Sequence, residues 1–189
     1  MTRLPSRRVL MAQSAFVADA ELLFTQHRQG VLRYLSRVVG RADAAQDLTQ
    51  EVFLRVSRAP VPETDPAGHR AWVFKIARNL ALNHVRDNAR RPEAPAMVEA
   101  VQPATQELGV AVREAIAALP AVDRDVFLLR ESAGLSYDEI AEACDLSVEA
   151  VRGRLRRARE LLRQTLEGPM RAGRRGYVSL RTSDSGEQP

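Results

Sequence analysis

Apolar side chains recur at helical spacing through the first half of the chain. A first helix is predicted from Phe16 to Val39, where the apolar positions follow the period of an amphipathic helix. A second helix is predicted to begin at Asp43, because Asp43 and Gln46 form an Asp-x-x-Gln start signal ahead of another amphipathic segment. After a proline-rich loop, Asp65-Pro66 is a favourable start for a third, long helix that extends to about Arg90.

Helical periodicity is interrupted in the middle of the chain and then returns. From Pro92 to about Glu107 there are three prolines, three Glu and neither Lys nor Arg, a composition typical of a linker. A helix is predicted from Val110 to Leu119, and Pro120 ends it. Asp123 is predicted to cap the next helix, which Gly134 stops.

The stretch from Ser136 to Leu162 predicts two short helices joined by a tight turn. Ser136 and Glu139 form a Ser-x-x-Glu capping box, which sets the start of the first helix. Ser147 is placed to cap the second helix, whose apolar positions recur at helical spacing. Gly168-Pro169 is predicted to end that helix, and the Arg-, Gly- and Ser-rich tail that follows is expected to be disordered.

Charge is segregated along these predicted helices. The second helix of the pair, from Ser147 to Glu167, carries six Arg and three Glu, a net of +3, whereas the stretch from Gly109 to Leu146 carries −5. The third helix, from His69 to Arg91, carries six basic residues and one acid, a net of +5. The whole chain has a net charge of +4 and a pI near 9.9. This concentration of positive charge on two helices favours nucleic acid as a partner.

The two short helices match the arrangement of a helix-turn-helix, in which the second helix enters the major groove of DNA. Its outward positions are expected to include Glu149, Arg152 and Arg156, and arginines at such positions contact guanine edges and phosphates. The alternative is an arginine-rich, solvated face on a helical hairpin. The capping box, the turn and the segregated charge together favour DNA binding.

The third helix combines basic residues with amides and aromatic rings. Asn79 and Asn83 lie one turn apart, where they could hydrogen-bond unstacked bases, and Trp72 and Phe74 could stack on a single strand. In the alternative interpretation the amides cap loops or satisfy buried backbone groups, and the aromatic rings belong to the core.

Composition argues against several other classes of protein. His27, His69 and His84 lack a close metal-ligand spacing, Cys144 has no obvious base partner, and the chain lacks a Gly-rich phosphate loop with a following Lys. We therefore predict no catalytic site, cofactor or metal. The single cysteine excludes an intrachain disulfide, and the sequence has neither a membrane-length apolar run nor the apolar core of a signal peptide. A cytoplasmic protein without membrane insertion is expected.

Three motifs resemble the extracytoplasmic-function group of bacterial sigma factors, within the sigma-70 family. The segment DLTQEVF, residues 47–53, looks like the core-polymerase-binding stretch of the family's region two. The segment WVFKIARNLALNHVR, residues 72–86, resembles the helix that melts the promoter and reads the minus-ten element. Leu119-Pro120 and the segment at residues 123–159 are similar to region four, which reads the minus-thirty-five element. Each motif alone is moderately specific, but their order and spacing together are highly specific.

The resemblance implies an all-α fold of two small helical domains joined by a flexible linker. The expected organisation is a flexible N-terminal tail at 1–15, region two at 16–91, an acidic linker at 92–108, region four at 109–167 and a disordered tail at 168–189. A sigma factor is not an enzyme; it binds core RNA polymerase and directs promoter-specific transcription initiation. The linker would thread toward the polymerase active-site channel.

The resemblance also implies partners and contact residues. The partners are bacterial core RNA polymerase, through the clamp helices of its β′ subunit and the flap of its β subunit, promoter DNA, and an anti-sigma factor. The residues expected to bind core polymerase are Asp47, Gln50, Glu51 and Phe53. Those expected at the minus-ten element are Lys75, Arg78, Asn79, Asn83, Arg86 and Arg90. Those expected at the minus-thirty-five element are Ser147, Glu149, Arg152, Arg154, Arg156, Arg157 and Arg159.

A stand-alone helix-turn-helix transcriptional regulator is the alternative. It would explain the stretch from Ser136 to Leu162. It would leave the face from Asp47 to Phe53 and the basic third helix without a role.

Overall fold

The computed structural model describes residues 7–90 and 103–176, with side chains described for 19–90 and 109–167. Within these ranges the chain is all-helical. The seven helices are α1 (Arg7–Val39), α2 (Ala42–Val56), α3 (Pro66–Arg90), α4 (Pro103–Ala117), α5 (Ala121–Glu131), α6 (Tyr137–Cys144) and α7 (Val148–Gly176). We refer to α1–α3 as the N-terminal unit and to α4–α7 as the C-terminal unit.

The N-terminal unit is a bundle in which each helix packs against the other two. The apolar stripes of the three helices meet in a core that includes the fully buried Tyr34, Val52 and Val73. Tyr34 and Phe74 pack edge to face, with ring centroids 6.2 Å apart.

The C-terminal unit is organised around α7. Helices α4, α5 and α6 all pack against it. Leu129 of α5, Ile140 of α6 and Leu155 of α7 are buried together, and Leu119 packs with Leu162, near the middle of α7, in a smaller cluster. The contacts of α7 therefore hold the helix-turn-helix in one arrangement.

The two units pack on each other and share one continuous core. Helix α3 lies against α6, and α1 lies against α5. Tyr34 and Phe74 of the N-terminal unit belong to the same buried cluster as Leu129 and Ile140 of the C-terminal unit. This packing decides which faces of the predicted binding helices remain open.

Three predicted helix starts are confirmed by their hydrogen bonds. The backbone N–H of Gly68 donates to the Asp65 carboxylate over 2.8 Å at the start of α3. At α6 the Glu139 N–H donates to the Ser136 hydroxyl over 3.1 Å, and the Ser136 N–H donates to the Glu139 carboxylate over 2.6 Å. At α7 the Ala150 N–H donates to the Ser147 hydroxyl over 3.1 Å.

Asp43 and Asp123 do not cap their helices as predicted, because arginine side chains form ion pairs with both carboxylates. Helix α2 begins at Ala42, and Asp43 in its first turn forms an ion pair of 2.7 Å with Arg41. Hydrogen bonds from Arg41 and from a backbone N–H lower the pKa of Asp43 to about 2. Helix α5 begins at Ala121, and Asp123 is buried in its first turn against arginines of α7.

Three helices extend beyond their predicted limits. Helix α1 begins at Arg7, within the predicted tail, since residues 7–15 contain neither Gly nor Pro and are rich in helix-forming residues. Helix α4 begins at Pro103, which suits the first helical position, so that part of the predicted linker is helical. Helix α7 continues through Pro169, whose missing donor removes one hydrogen bond, because Met170, Arg171 and Ala172 favour a helix. The rest of both predicted tails and of the linker lies outside the described residues.

Candidate nucleic-acid and polymerase interfaces

The helix-turn-helix of α6 and α7 is shaped by the turn between them. Helix α6 ends at Cys144, and Asp145 adopts the left-handed conformation with φ of 54°. Ser147 then caps α7, whose buried residues Val151 and Leu155 fix the rotation of the helix against α5 and α6. The opposite face of α7 is thereby turned outward.

The outward face of α7 displays most of the side chains predicted to meet the minus-thirty-five element. Ser147, Glu149, Arg152 and Arg156 are all exposed. Arg152 forms a long ion pair of 3.8 Å with Glu149 one turn away. An open groove of about 890 Å³ runs along this face and is lined by Tyr137, Gly153, Arg156, Arg159 and Arg163 among others. Such a basic, exposed helix face is suited to a DNA groove and its phosphates.

Arg154 and Arg157 point toward a buried carboxylate of α5. Asp123 is 0% exposed, and its two oxygens accept hydrogen bonds from Arg154 over 2.9 Å and from Arg157 over 3.4 Å. Arg154 is the more buried of the two arginines, so it stabilises the C-terminal unit and is poorly placed for DNA. Arg157 remains largely exposed and can contact a phosphate as well. Arg159 forms an exposed ion pair of 2.9 Å with Glu131.

The two aromatic rings predicted on α3 do not form a free stacking surface. Phe74 is 1% exposed and lies in the core against Tyr34, which overturns its expected role in stacking on bases. Trp72 is partly buried against the same core. The core interpretation is therefore confirmed for Phe74.

The first two-thirds of α3 turns its positive charges toward the C-terminal unit. Lys75 forms an ion pair of 2.5 Å with Asp145. Arg78 donates to the carboxylate of Asp125 across the interface. Both cations were expected at the minus-ten element, and in this arrangement both are matched by carboxylates of the same chain.

The last part of α3 has side chains that are exposed to solvent. Asn79, Asn83, Arg86 and Arg90 are all exposed, as expected for residues that meet a strand of DNA. Arg86 donates to the Asn83 side chain within the helix. The amides satisfy no buried backbone group among the described contacts, so the exposed stretch retains free hydrogen-bonding capacity.

Burial at the interface of the two units raises the pKa values of two acidic groups. Burial raises the pKa of Tyr34 well above its ordinary value, and the nearby Asp125 carboxylate raises it further. Burial also raises the pKa of the Cys144 thiol to about 12. Arg78 has a raised pKa because the Asp125 carboxylate outweighs the opposing effect of burial. Near neutral pH the phenol is therefore protonated and the guanidinium is charged.

The predicted polymerase-binding face on α2 is exposed at Asp47 and Gln50. Glu51 is half-buried and forms an ion pair of 2.7 Å with Arg55. Phe53 is 8% exposed and packs edge to face on Phe24, with centroids 5.0 Å apart. Phe53 therefore packs mainly in the core, and its contact with the polymerase stays a prediction.

Apolar side chains outside the predicted polymerase-binding set extend this face. Leu54 is exposed one turn from Gln50 and Glu51, and Leu22 and Phe24 are exposed on the neighbouring α1. A cleft of about 460 Å³ lies between α1 and α2, lined by Phe24 and Phe53 among others. An apolar patch beside carboxylates is typical of a protein-binding surface.

The three histidines have different surroundings. Burial lowers the pKa of His27, whose Nε2 atom has no hydrogen-bond partner among the described residues. His69 bonds the carbonyl of Pro62, and His84 bonds Asn88. The described part of the chain contains no group of His, Cys, Asp and Glu side chains arranged to hold a metal ion. Among the described helices, none is both long and apolar enough to cross a membrane.

The contacts between the units are the main feature that the sequence pattern missed. Tyr34, Arg70 and Glu139 join Arg78 and Asp125 there, and none of the five was expected to pair across a domain boundary. One signal was present in the sequence: Asp125 occupies a position within the apolar stripe of α5, where a carboxylate requires a partner. The pattern did not show that Arg78 and Tyr34 are the partners of Asp125.

Comparison with known proteins identifies the two units separately. The protein-family model described as "Sigma-70 region 2" matches residues 23–91. The family model described as "Sigma-70, region 4" matches residues 109–162. These ranges correspond to the N-terminal and C-terminal units.

Curated relatives cover most of the chain. The ECF RNA polymerase sigma factor SigE of Mycolicibacterium smegmatis is 34% identical over 76% of this chain, which spans 60% of that protein. The RNA polymerase sigma-H factor of Pseudomonas aeruginosa is 31% identical over 80% of this chain and 88% of that protein. The ECF RNA polymerase sigma-E factor of Escherichia coli K12 is 32% identical over 75% of this chain and 83% of that protein.

Two solved structures share the arrangement of helices. CnrH, solved in complex with the cytosolic domain of CnrY, gives a TM-score of 0.64 at 26% identity and covers 84% of this chain and 94% of that one. The sigma factor RpoE of Bartonella quintana, solved in complex with the anti-sigma factor NepR, gives a TM-score of 0.61 at 21% identity and covers 79% of this chain and 97% of that one. At 21% identity, the similarity to RpoE shows a shared fold only.

Proposed function

The chain belongs to the extracytoplasmic-function group of the sigma-70 family, and from this premise we propose that it binds bacterial core RNA polymerase and directs promoter-specific transcription initiation. The observation that carries the proposal is the combination of faces in one chain. An exposed acidic and apolar face on α2 accompanies an open stretch of amides and arginines on α3 and a basic outward face on α7. A protein partner and two DNA segments account for all three.

The α2 face is the proposed contact with the polymerase. Asp47, Gln50 and Glu51 would dock on the clamp helices of the β′ subunit, with Leu54 adding apolar contact. Carboxylates on an exposed face repel phosphate but complement a basic protein surface, which supports a protein partner over DNA. The C-terminal unit would contact the flap of the β subunit.

The open part of α3 is the proposed minus-ten surface. Asn79 and Asn83 are exposed one turn apart, where they would hydrogen-bond bases of the unwound strand while Arg86 and Arg90 hold the phosphates. Lys75 and Arg78 would extend this surface once they are released from the C-terminal unit.

The outward face of α7 is the proposed minus-thirty-five surface. Arg156 is the best-placed base-reading side chain, because it is exposed, lines the open groove and has no ion pair among the described residues. Ser147, Glu149 and Arg152 would contribute further contacts near the start of the helix. Arg157 would bind a phosphate.

Control by an anti-sigma factor is part of the proposal. CnrH was solved with CnrY, and RpoE with the anti-sigma factor NepR, and the likeness of this chain to both supports a similar partner here. Sigma factors are transcription initiation factors without enzymatic activity of their own, and we propose the same for this chain. It would act in the cytoplasm, where its polymerase is, and need no cofactor. The acidic linker would thread toward the active-site channel.

Transcription in a purified system tests the proposal. Core polymerase, the chain and a template carrying the DNA upstream of its own gene are expected to give a discrete transcript, absent when either protein is omitted. A stand-alone regulator would instead bind a specific duplex without polymerase and give no transcript with core enzyme alone. Failure on that template and on a library of genomic promoters, with a second sigma factor active on its own promoter as control, would contradict the proposal.

A further inference from the structure

Two neighbouring cavities follow α1 along the seam between the N-terminal and C-terminal units. The first, which we call the seam cavity, has a volume of about 330 Å³ and is bounded by α1, α3, α4 and α5. The second, which we call the side cavity, has a volume of about 590 Å³ and is bounded by α1, α4, α5 and the turn after α5. Arg37, Ile116 and Leu128 line both cavities, so a ligand that is longer than one cavity can extend into the other.

Apolar side chains form the walls of these cavities, and the core holds them in place. Val39 and Val85 of the N-terminal unit line the seam cavity. Leu128 is 2% exposed, and Ile116 and Phe127 pack against both buried clusters of the molecule. Walls fixed in this way form a site for an apolar chain without a rearrangement of the backbone.

The seam cavity also carries positive charge without a matching acid. Arg37 of α1, Arg113 of α4 and Arg124 of α5 line it, and its described lining contains no Asp or Glu. Arg124 donates to the carbonyl of Ala117 over 2.9 Å. Arg37 and Arg113 are exposed and form no ion pair among the described residues. Guanidinium groups at one site repel one another, and a carboxylate or phosphate is the ligand that offsets this repulsion.

The polar groups of the side cavity already have partners within the chain. Glu131 lines this cavity and pairs with an arginine of α7 over 2.9 Å. Arg33 donates to the carbonyl of Ser132 over 3.2 Å. The apolar side chains of Leu32 and Phe127 in the same lining are half-buried. The groove therefore has unpaired cations at one end and apolar side chains toward the other.

We propose that these two cavities bind an anionic amphiphile with a single alkyl chain. Its carboxylate or phosphate head group lies against the arginines of the seam cavity, and its chain extends over Ile116 and Leu128 toward Phe127. Cavities of about 300–1,000 Å³ between domains are typical of small-molecule sites. The inference goes beyond the proposed function, which requires no such ligand. Because the ligand contacts both units, its binding stabilises the folded chain by mass action.

Isothermal titration calorimetry of the full chain with decanoate, at low salt and without polymerase, tests the site. We expect saturable binding of one decanoate per chain. Octanoate should bind roughly tenfold more weakly, because two fewer methylene groups are buried. Decanol, which lacks the charge, should bind at least about tenfold more weakly than decanoate. Decyl phosphate distinguishes the two head groups, and tighter binding of either anion supports the inference.

A charge-matched pair of variants locates the binding. Arg37→Gln with Arg113→Gln removes two exposed cations of the seam cavity and is expected to weaken decanoate binding at least about tenfold. Arg28→Gln with Arg58→Gln removes the same charge at exposed positions outside both cavities and should change the affinity by less than about twofold. Arg37→Lys with Arg113→Lys keeps the charge and should retain most of the binding, which separates loss of charge from misfolding.

Four results would overturn the inference. The first is the absence of saturable binding, and the second is an equal affinity for decanol and decanoate. The third is an equal loss in the cavity and control variants, which would show attraction by net charge alone. The fourth is binding that appears only after Glu93→Gln with Glu99→Gln, which would show that acids of the chain itself occupy the arginines.

Discussion

Helices α3 and α7 are both rich in basic residues, yet their arginines have different surroundings. On α3, Lys75 and Arg78 pair with carboxylates of the other unit. On α7, Arg152 and Arg156 face outward along an open groove. The composition of a helix shows which ligand it suits, whereas its tertiary contacts show whether the surface is available. In the free chain, the proposed minus-thirty-five surface on α7 is exposed, whereas Lys75 and Arg78 of the proposed minus-ten surface are paired with carboxylates.

The largest expected effect is the loss of polymerase binding while DNA binding through α7 is retained. Asp47→Arg with Glu51→Arg is expected to abolish co-purification with core polymerase, because two carboxylates become cations on the docking face. Binding of duplex DNA through α7 should persist, and folding should survive because Asp47 is exposed and Glu51 is half-buried. Asp19→Arg with Glu63→Arg changes the same charge at exposed positions of the N-terminal unit and should retain co-purification. Retained binding in the first variant would place the interface elsewhere.

The next effect separates two arginines of α7 by their role in stability. Arg154→Ala leaves the buried Asp123 with only the longer contact to Arg157. The free energy of unfolding should fall by about 3 kcal/mol, the lower end of the cost of breaking a buried ion pair, because Arg157 still compensates part of the charge. Arg156→Ala should change it by less than about 0.5 kcal/mol, because Arg156 is exposed. Urea denaturation followed by circular dichroism measures the unfolding free energy of both variants. Equal losses of unfolding free energy would show that Arg154 is no more structural than Arg156.

A third prediction distinguishes base reading from phosphate binding on α7. Arg156→Ala should weaken binding to the matched upstream promoter duplex by about 1–3 kcal/mol and affect a mismatched duplex much less. Arg157→Ala should weaken both duplexes alike and flatten the salt dependence. Titrations at several salt concentrations measure both properties. The assignment of Arg156 fails if the two variants behave identically on the two duplexes.

The smallest effect reports on α6, the helix that covers α3. Burial raises the pKa of Cys144 to about 12 from an ordinary value of 9.0, so the folded state favours the neutral thiol. Its contribution to stability is complete below pH 9 and is lost as the pH rises from about 9 to about 12. Between pH 8 and 10 the wild type should lose roughly 1.4 kcal/mol more unfolding free energy than Cys144→Ala. Tyr34 is present in both proteins, so its contribution to the pH dependence cancels in the comparison. Parallel pH profiles would contradict the burial of the thiol.

Local features of this fold were predictable from the sequence. The capping box of Ser136 and Glu139 and the start at Asp65 depend on residues three positions apart, and both are confirmed. Asp43 and Asp123 satisfy the same local rule, but Arg41 and Arg154 hold their carboxylates. A capping rule considers the backbone as the only donor, so it fails where a guanidinium lies within reach.

The candidate sites were predictable as far as they depend on helical periodicity. The outward placement of Arg156, Asn83 and Asp47 follows from the period of each helix. The burial of Phe53 and the pairing of Arg78 with Asp125 do not follow, because each depends on where a second helix lies. The pairing joins positions 47 residues apart, a separation that no local pattern spans.

The distance between α3 and α6 tests the central claim most directly. Fluorophores at Asp87→Cys and Asp138→Cys, in a Cys144→Ala background, would label exposed positions outside the proposed contacts. We expect efficient energy transfer in the free chain and a marked loss when core polymerase is added, but no loss when the chain also carries Asp47→Arg and Glu51→Arg. Efficient transfer that persists in an initiating polymerase complex, or weak transfer in the free chain, would contradict the account.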